Sequence, residues 1–254
     1  VEVGKDVLSP PNHTAFSTVP ELMNFIEEIA EATGLPVGVK AAIGKLEQWE
    51  ELAELMVKTG KGPDFITVDG GEGGTGAAPP SFADHVSLPF VYGFSELYKV
   101  FQKRKLTHRI VFIGSGKLGF PGVAAMAFGM GVDVINVARE AMMSIGCIQA
   151  QLCHTNRCPS GVATQKKWLQ NGIHVPLKSD MAFQYFKTFK KELLEITHAS
   201  GYEHPCQYTM DDIEVNADDI NISSNMSLAY QYKKDNVDFE GMQTLMECPY
   251  LGGK

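Results

Sequence analysis

Cysteine is scarce in this chain, as are long apolar runs and net positive charge, and each shortage excludes something. Five cysteines in 254 residues, an odd number unevenly placed, do not make the framework of a small secreted disulfide protein. A reducing cytoplasm is the expected compartment. No apolar run approaches the roughly 20 residues that span a bilayer, and no basic-then-apolar signal segment opens the chain. The formal charge of -8 argues against nucleic acid as a principal partner, because phosphate binding needs a basic face. Low-complexity segments are missing too. What remains suffices for a sizeable core, as one large α/β domain or two smaller ones.

The cysteines are concentrated. Cys147, Cys153 and Cys158 fall within one stretch spaced Cys-x5-Cys-x4-Cys, with Pro159 after the last thiol. Thiolates are the soft ligands that metal and iron–sulfur centres require. The alternative is three buried or idle thiols, and spacing alone leaves both open.

Along the chain, helical and strand signals alternate. Residues 1–16 are loop-like. Thr18, Pro20 and Glu21 form a capping box with an early proline, and Leu22, Phe25, Ile26 and Ile29 repeat at helical spacing until Gly34. A buried strand over 35–42 delivers Lys40 to a rim. A second helix is expected from Leu46 to Lys58, stopped by Gly60, then a strand over Asp64–Asp69. Further helices are expected near Phe94–Lys105 and Val123–Met130, with strands over Arg109–Ile113 and Asp133–Val137. Strands alternating with helices imply right-handed βαβ units and a parallel sheet. Lys178–Ala199 reads as one long amphipathic helix. After Asn221 periodicity fades, and a peripheral or poorly ordered tail is expected.

Each polar or glycine-rich cluster lies just past a strand: Lys40, Asp69 to Gly76, Ser115 to Lys117, and Arg139. That edge is where ligands bind in barrels and open α/β sheets. Gly70 to Gly76 holds five glycines, which permit positive φ and close approach of a ligand to the main chain. Glu72, the one acidic side chain among them, either touches a substrate or faces water. Gly114, Ser115, Gly116 and Lys117 precede a helix of small residues, a pattern suited to phosphate cradling by backbone N–H groups. It is not a Walker loop. Gly114, Gly116 and Gly119 match dinucleotide spacing, but no acidic residue suited to a ribose follows about 20 residues on. Arg139 is placed to pair with the same phosphate. Barrels commonly bind phosphate after strands seven and eight, which would make these four strands the fifth to eighth.

Together, the run from Asp69 through Glu72, Gly73, Gly74, Thr75 and Gly76 to Pro79, then Gly116-Lys117, then Gly146-Cys147 and Cys153 through Cys158 to Gln165 resemble the FMN-binding synthase domain of glutamate synthases. The likeness is closest to single-domain glutamate-synthase-like proteins and extends from about Ser9 to Glu214. It implies an α/β fold: the C-terminal half of a (β/α)8 TIM-like barrel, about four βα units, with an iron–sulfur loop and a C-terminal helical extension. Residues 1–215 would be the barrel portion, with the cluster loop at 147–158, and 216–254 a tail.

The resemblance further implies FMN and a [3Fe-4S] cluster as cofactors. Cys147, Cys153 and Cys158 would ligate the cluster. Lys40 would approach the flavin ring, with Asp69, Gly73, Gly74 and Thr75 beside the cofactor, and Ser115, Gly116, Lys117, Ala138 and Arg139 would hold its phosphate. Lys40 and Glu72 would carry the catalytic roles, although larger members have His-Asp where Gly71-Glu72 stand here. The implied reaction is reductive amination of 2-oxoglutarate to glutamate, with electrons from ferredoxin or an NAD(P)H-oxidising subunit. Rival readings are a synthase-like subunit using methylamine and glutamate, a zinc module built on the three cysteines with His154, and a non-catalytic fragment. The cysteine spacing is unusual for zinc. No glutaminase domain is evident, so ammonia would come from an amidotransferase subunit or solution. Four βα units cannot close a barrel, so a longer polypeptide or a partner is expected to supply the other half.

Overall fold

A computed structural model describes residues 13–72, 81, 86–217, 222–237 and 239. Helix α1 (Val19–Thr33) starts as its sequence dictates. The Thr18 hydroxyl accepts from the N–H of Glu21, and the Glu21 carboxylate accepts from Ser17 and Thr18 at 2.7 and 3.1 Å. The N–H groups of Ser17 and Thr18 hold that carboxyl below its ordinary value of 4.5. Gly34 closes the helix in the left-handed region at φ 66°, where glycine carries no Cβ penalty.

There follow β1 (Gly38–Ala42), α2 (Glu47–Thr59), β2 (Phe65–Asp69), α3 (Phe90–Gln102), β3 (Val111–Ser115), α4 (Pro121–Met130) and β4 (Val134–Asn136). Helix α3 begins four residues before its expected start. Phe90 is buried at its first turn, and that burial has no periodic signal in the preceding loop.

The four strands are parallel in the order β1-β2-β3-β4. Sequential order with crossovers of one hand places the connecting helices on one face. Toward them point Ile66, Val68 and Phe112, all at most 1% exposed, in a core with Leu52, Met56, Phe94, Leu97 and Phe101. The pairing register sets three rows on the opposite face: Gly38-Phe65-Val111, Lys40-Thr67-Ile113-Val134 and Ala42-Asp69-Ser115-Asn136. Val111 and Val134 are 44% and 47% exposed there, so this face is open. Four βα units in this order are compatible with half a barrel.

After β4 come α5 (Arg139–Ser144), the cysteine-bearing loop, the short α6 (Lys167–Gln170) and α7 (Val175–Ala199). Helix α7 lies against α4, where Leu193 clusters with Ala124 and Ala125. Strands β5 (Glu214–Ala217) and β6 (Ile222–Asn225) form an antiparallel hairpin before α8 (Met226–Tyr230). No described helix is long and apolar enough to cross a membrane.

The expected peripheral tail is corrected for residues 226–235. Met226 and Tyr232 are buried in the main core. The Tyr232 hydroxyl donates to Met130 O, Lys234 Nζ to Phe128 O and Cys206 O, and the N–H of Asp235 to the Tyr98 hydroxyl. The first two reach carbonyls in the last turn of α4, of which Phe128 O also accepts from the N–H of Gly131 at 3.1 Å. Isolated anchors of this kind leave no periodicity to read. Cys248 lies outside the described residues.

Two predictions follow from these anchors. Tyr232→Phe removes a buried hydrogen bond and should cost about 1 kcal/mol, whereas Tyr232→Ala should cost about 3–5 kcal/mol, read as shifts of the urea midpoint at constant slope. Because the Glu21 carboxyl sits below 4.5 in the folded chain, its capping contribution is present above that pH and fades as pH falls through the folded value. Glu21→Gln should therefore lower stability at neutral pH and flatten the acid limb, so that wild type and variant converge toward about pH 3 in urea denaturation.

Candidate cofactor site at the strand ends

The C-terminal ends of the four strands are joined into one rim by main-chain bonds. The N–H of Gly70 donates to Ser115 O at 2.7 Å, linking β2 to β3. The N–H of Gly71 donates to Leu88 O, and that of Leu88 to Ile43 O beyond β1, both at 2.8 Å. Lys40 and Asp69 form an ion pair across β1 and β2 on the open face, with side chains 54% and 26% exposed. A pair this wet contributes little to stability. Its consequence is to keep a cation at the rim.

Glu72 is turned inward. Both of its carboxylate oxygens accept from the N–H of Phe90, at 2.9 and 3.1 Å. Its carbonyl accepts from Arg139 Nη2 at 2.9 Å. Arg139 follows β4 and Glu72 follows β2, so this bond bridges over the end of β3. Ser115 ends β3, and Lys117 stands just beyond it in the left-handed region at φ 56°. Ala138 caps α5. The structure thus brings Lys40, Asp69, Glu72, Ser115, Gly116, Lys117, Ala138 and Arg139 to one edge. Gly73, Gly74 and Thr75 lie outside the described residues.

The glycines of this edge have a second reason to be glycine. A Cβ at Gly70 would lie 2.6 Å from Phe90 Cβ, one at Gly116 2.7 Å from the same atom, and one at Gly114 3.0 Å from the Phe90 ring. Real Cβ atoms essentially never approach as closely as the first two, and the third is tighter than most contacts, so these residues let the first turn of α3 press onto β2 and β3. Sequence reasoning missed Phe90, because Pro89-Phe90 carries no site signal by itself. By contrast, a Cβ at Gly122, in the first turn of α4, would meet nothing within 4 Å. That helix start, beside Lys117 and with Arg139 on the same edge, offers N–H groups and positive charge to an anion. The residues present fit a phosphorylated cofactor.

Beyond α5 the chain turns through left-handed residues at Gly146, Gln149, Gln151 and Asn156, exposing a loop rather than a helix. The Asn156 side chain ties it shut: its Oδ1 accepts from Thr164 Oγ1 and from the N–H of Gln165. Cys147 Sγ accepts from the N–H of Gln149 at 3.5 Å. Cys153 opens a single 3-10 turn through Thr155, with His154 exposed. Burial pushes the Cys158 thiol up, but hydrogen bonds from Ser160 and from the backbone at Ala163, Ser160 and Val162 outweigh it and leave it below 9.0. Donors around a sulfur shift its balance toward the thiolate, the form that ligates iron.

Among the described residues no three His, Cys, Asp or Glu side chains gather around a point that one metal ion would occupy. Three thiols on one loop supply the kind of donor an iron–sulfur cluster takes.

Fold and rim define an α/β protein of sequential βα units with its polar site at the C-terminal strand edge and a three-thiol loop beside it. The family follows from comparison: the model described as conserved region in glutamate synthase matches residues 1–203, and the chain belongs to the glutamate synthase family. It is 37% identical over 232 residues to the glutamate synthase large subunit-like protein YerD of Bacillus subtilis (strain 168), covering 91% of this chain and 44% of that protein. An archaeal-type glutamate synthase [NADPH] of Thermotoga neapolitana is 29% identical over 79% of this chain and 39% of its own length. A ferredoxin-dependent glutamate synthase of Pyropia yezoensis is 30% identical over 83% of this chain and 13% of its own. The chain therefore spans less than half the length of these relatives.

The close approach of Phe90 makes a prediction. Gly116→Ala should destabilise by about 1–3 kcal/mol, the usual cost of overpacking. In a double-mutant cycle with Phe90→Gly, which removes the Cβ that the new methyl would meet, the two losses should fall well short of additive. Additive losses in chemical denaturation would refute the packing explanation for this glycine.

Proposed function

We propose that this chain forms the cofactor-bearing half of a glutamate-synthase-type oxidoreductase that uses FMN and a [3Fe-4S] cluster. The observation that carries the reading is the position of the thiol loop directly after α5, whose first residue, Arg139, belongs to the rim. Ser115, Gly116, Lys117, Ala138 and Arg139 would hold the FMN phosphate, and Cys147, Cys153 and Cys158 the cluster. Bound there, FMN would supply hydride chemistry and the cluster single-electron exchange, a combination able to serve reductive amination of 2-oxoglutarate to glutamate.

The chain's own residues set the conditions for that chemistry. Lys40 projects from the middle row of the open face, and Asp69 keeps its ammonium at the rim. There it would oppose the negative charge of a reduced flavin or of a dicarboxylate substrate. The N–H groups around Cys158 favour its ligating form, and a reducing compartment such as the cytoplasm would preserve it. Gly73, Gly74 and Thr75 are assigned to the cofactor by family likeness.

Partners follow from what the sheet leaves open. Val111 and Val134 stand exposed on a face that a closed barrel fills with side chains. A longer polypeptide or a partner subunit contributing four further strands would cover them. The electron donor would be ferredoxin or an NAD(P)H-oxidising subunit, in line with relatives whose names carry ferredoxin or NADPH, and an amidotransferase subunit or free ammonia would supply nitrogen.

The test is a visible spectrum of anaerobically purified protein. Flavin bands on a broad iron–sulfur absorbance are expected. Cys158→Ser should remove the broad absorbance and spare the flavin bands, while Arg139→Ala should weaken FMN binding about tenfold or more, the loss of a charged hydrogen bond. A protein without flavin or iron overturns the reading.

A further inference from the structure

The sequence places Glu72 among candidate catalytic groups, but its surroundings suit a different task. Its carboxylate is engaged by the N–H of Phe90 through both oxygens. A thirteen-residue helix with its first N–H groups unpaired is favourable for an anion, and here the chain supplies that anion itself. Oε2 also lies against Gly70, where a Cβ would come within 2.2 Å of it, and near Gly116, at 3.5 Å from a Cβ built there. The side chain therefore fills the space between the ends of β2 and β3 and the start of α3. Meanwhile its carbonyl receives Arg139 from the far side of β3.

We infer that Glu72 is a positioning residue, which anchors the glycine-rich loop to the start of α3 and through its carbonyl sets the guanidinium of Arg139 over the end of β3. The inference rests on the flavin reading above only for its consequence. By occupying the α3 terminus, Glu72 closes that terminus to a cofactor phosphate and leaves the start of α4, with Lys117 and Arg139, to take it. Loss of the anchor lets Gly71 and the Glu72 carbonyl move, so Arg139 loses one of the bonds that orient it. The dianionic phosphate, rather than the flavin ring, is the part of the cofactor that should register the loss.

Two readouts on the full chain test this, one with flavin and one without. In Glu72→Ala, amide hydrogen exchange at Phe90 and Gly71 should quicken about tenfold or more, while Leu97 in the interior of α3 stays protected. Glu72→Gln, which keeps an acceptor, should restore most of that protection. In titrations followed by flavin fluorescence, Glu72→Ala should weaken FMN about tenfold and riboflavin, which lacks the phosphate, by less than about twofold. Arg139→Ala should behave similarly, and the double variant should be little worse than either single one. Unchanged exchange at Phe90 and Gly71 overturns the inference, whether or not flavin binds. Exchange that quickens throughout α3 with equal losses for both flavins also overturns it, because Glu72 would then serve only stability. A wild-type chain that takes up neither flavin sinks the functional proposal instead, and the exchange result then decides the role of Glu72 by itself.

Discussion

The constraint on which the rest of this structure depends is the close approach of one helix start to two strand ends. Phe90, at the first turn of α3, lies so near Gly70 and Gly116 that neither has room for a Cβ, and it crowds Gly114 as well. That contact brings the unpaired N–H groups of α3 down onto the rim, where a carboxylate can reach them. Glu72 reaches, and its main chain is then in place to receive Arg139 from across the sheet. Packing, loop conformation and the placing of a cation are thus consequences of one short distance. The charge-assisted bond at its centre belongs to the stronger class of hydrogen bond.

A second organising fact is the inequality of the two sheet faces. The helix side is dry, with Ile66, Val68 and Phe112 sealed under Phe94, Leu97 and Phe101. The other side carries three ordered rows of residues with valines open to solvent. Parallel strands are normally covered on both faces. The exposed rows are therefore the face that the proposed further strands would cover, and the ion pair of Lys40 with Asp69 stands on it. Membership of a family whose relatives are more than twice as long accords with that geometry.

Much of the scaffold was legible because its signals are local. The capping box at Thr18, the stops at Gly34 and Gly60 and the alternation of strands with helices all appear in the structure where residue spacing puts them. The thiol loop and the strand-end clusters were legible as well, since cysteine and glycine are rare enough in such patterns to carry information. Three features were not. Helix α3 starts early because of a tertiary contact of Phe90. The segment after β6 joins the core through single anchors, Tyr232 and Lys234, that cap α4 from about a hundred residues away. Glu72 looked like a group aimed at a ligand or at water, because sequence shows which residues neighbour it and not which helix end it meets.

By itself, then, the sequence determined the order of elements, the parallel pairing, the edge on which polar residues gather and the family to which the chain belongs. These follow from periodicity, turn chemistry and motif spacing, all of which act over a few residues. Only the tertiary structure decided what the strand-end glycines are for, which way the Glu72 carboxylate turns, and how Arg139 is held over β3. Those depend on separations between residues tens of positions apart, where a difference of one ångström changes a contact into a clash and a ligand group into a structural one.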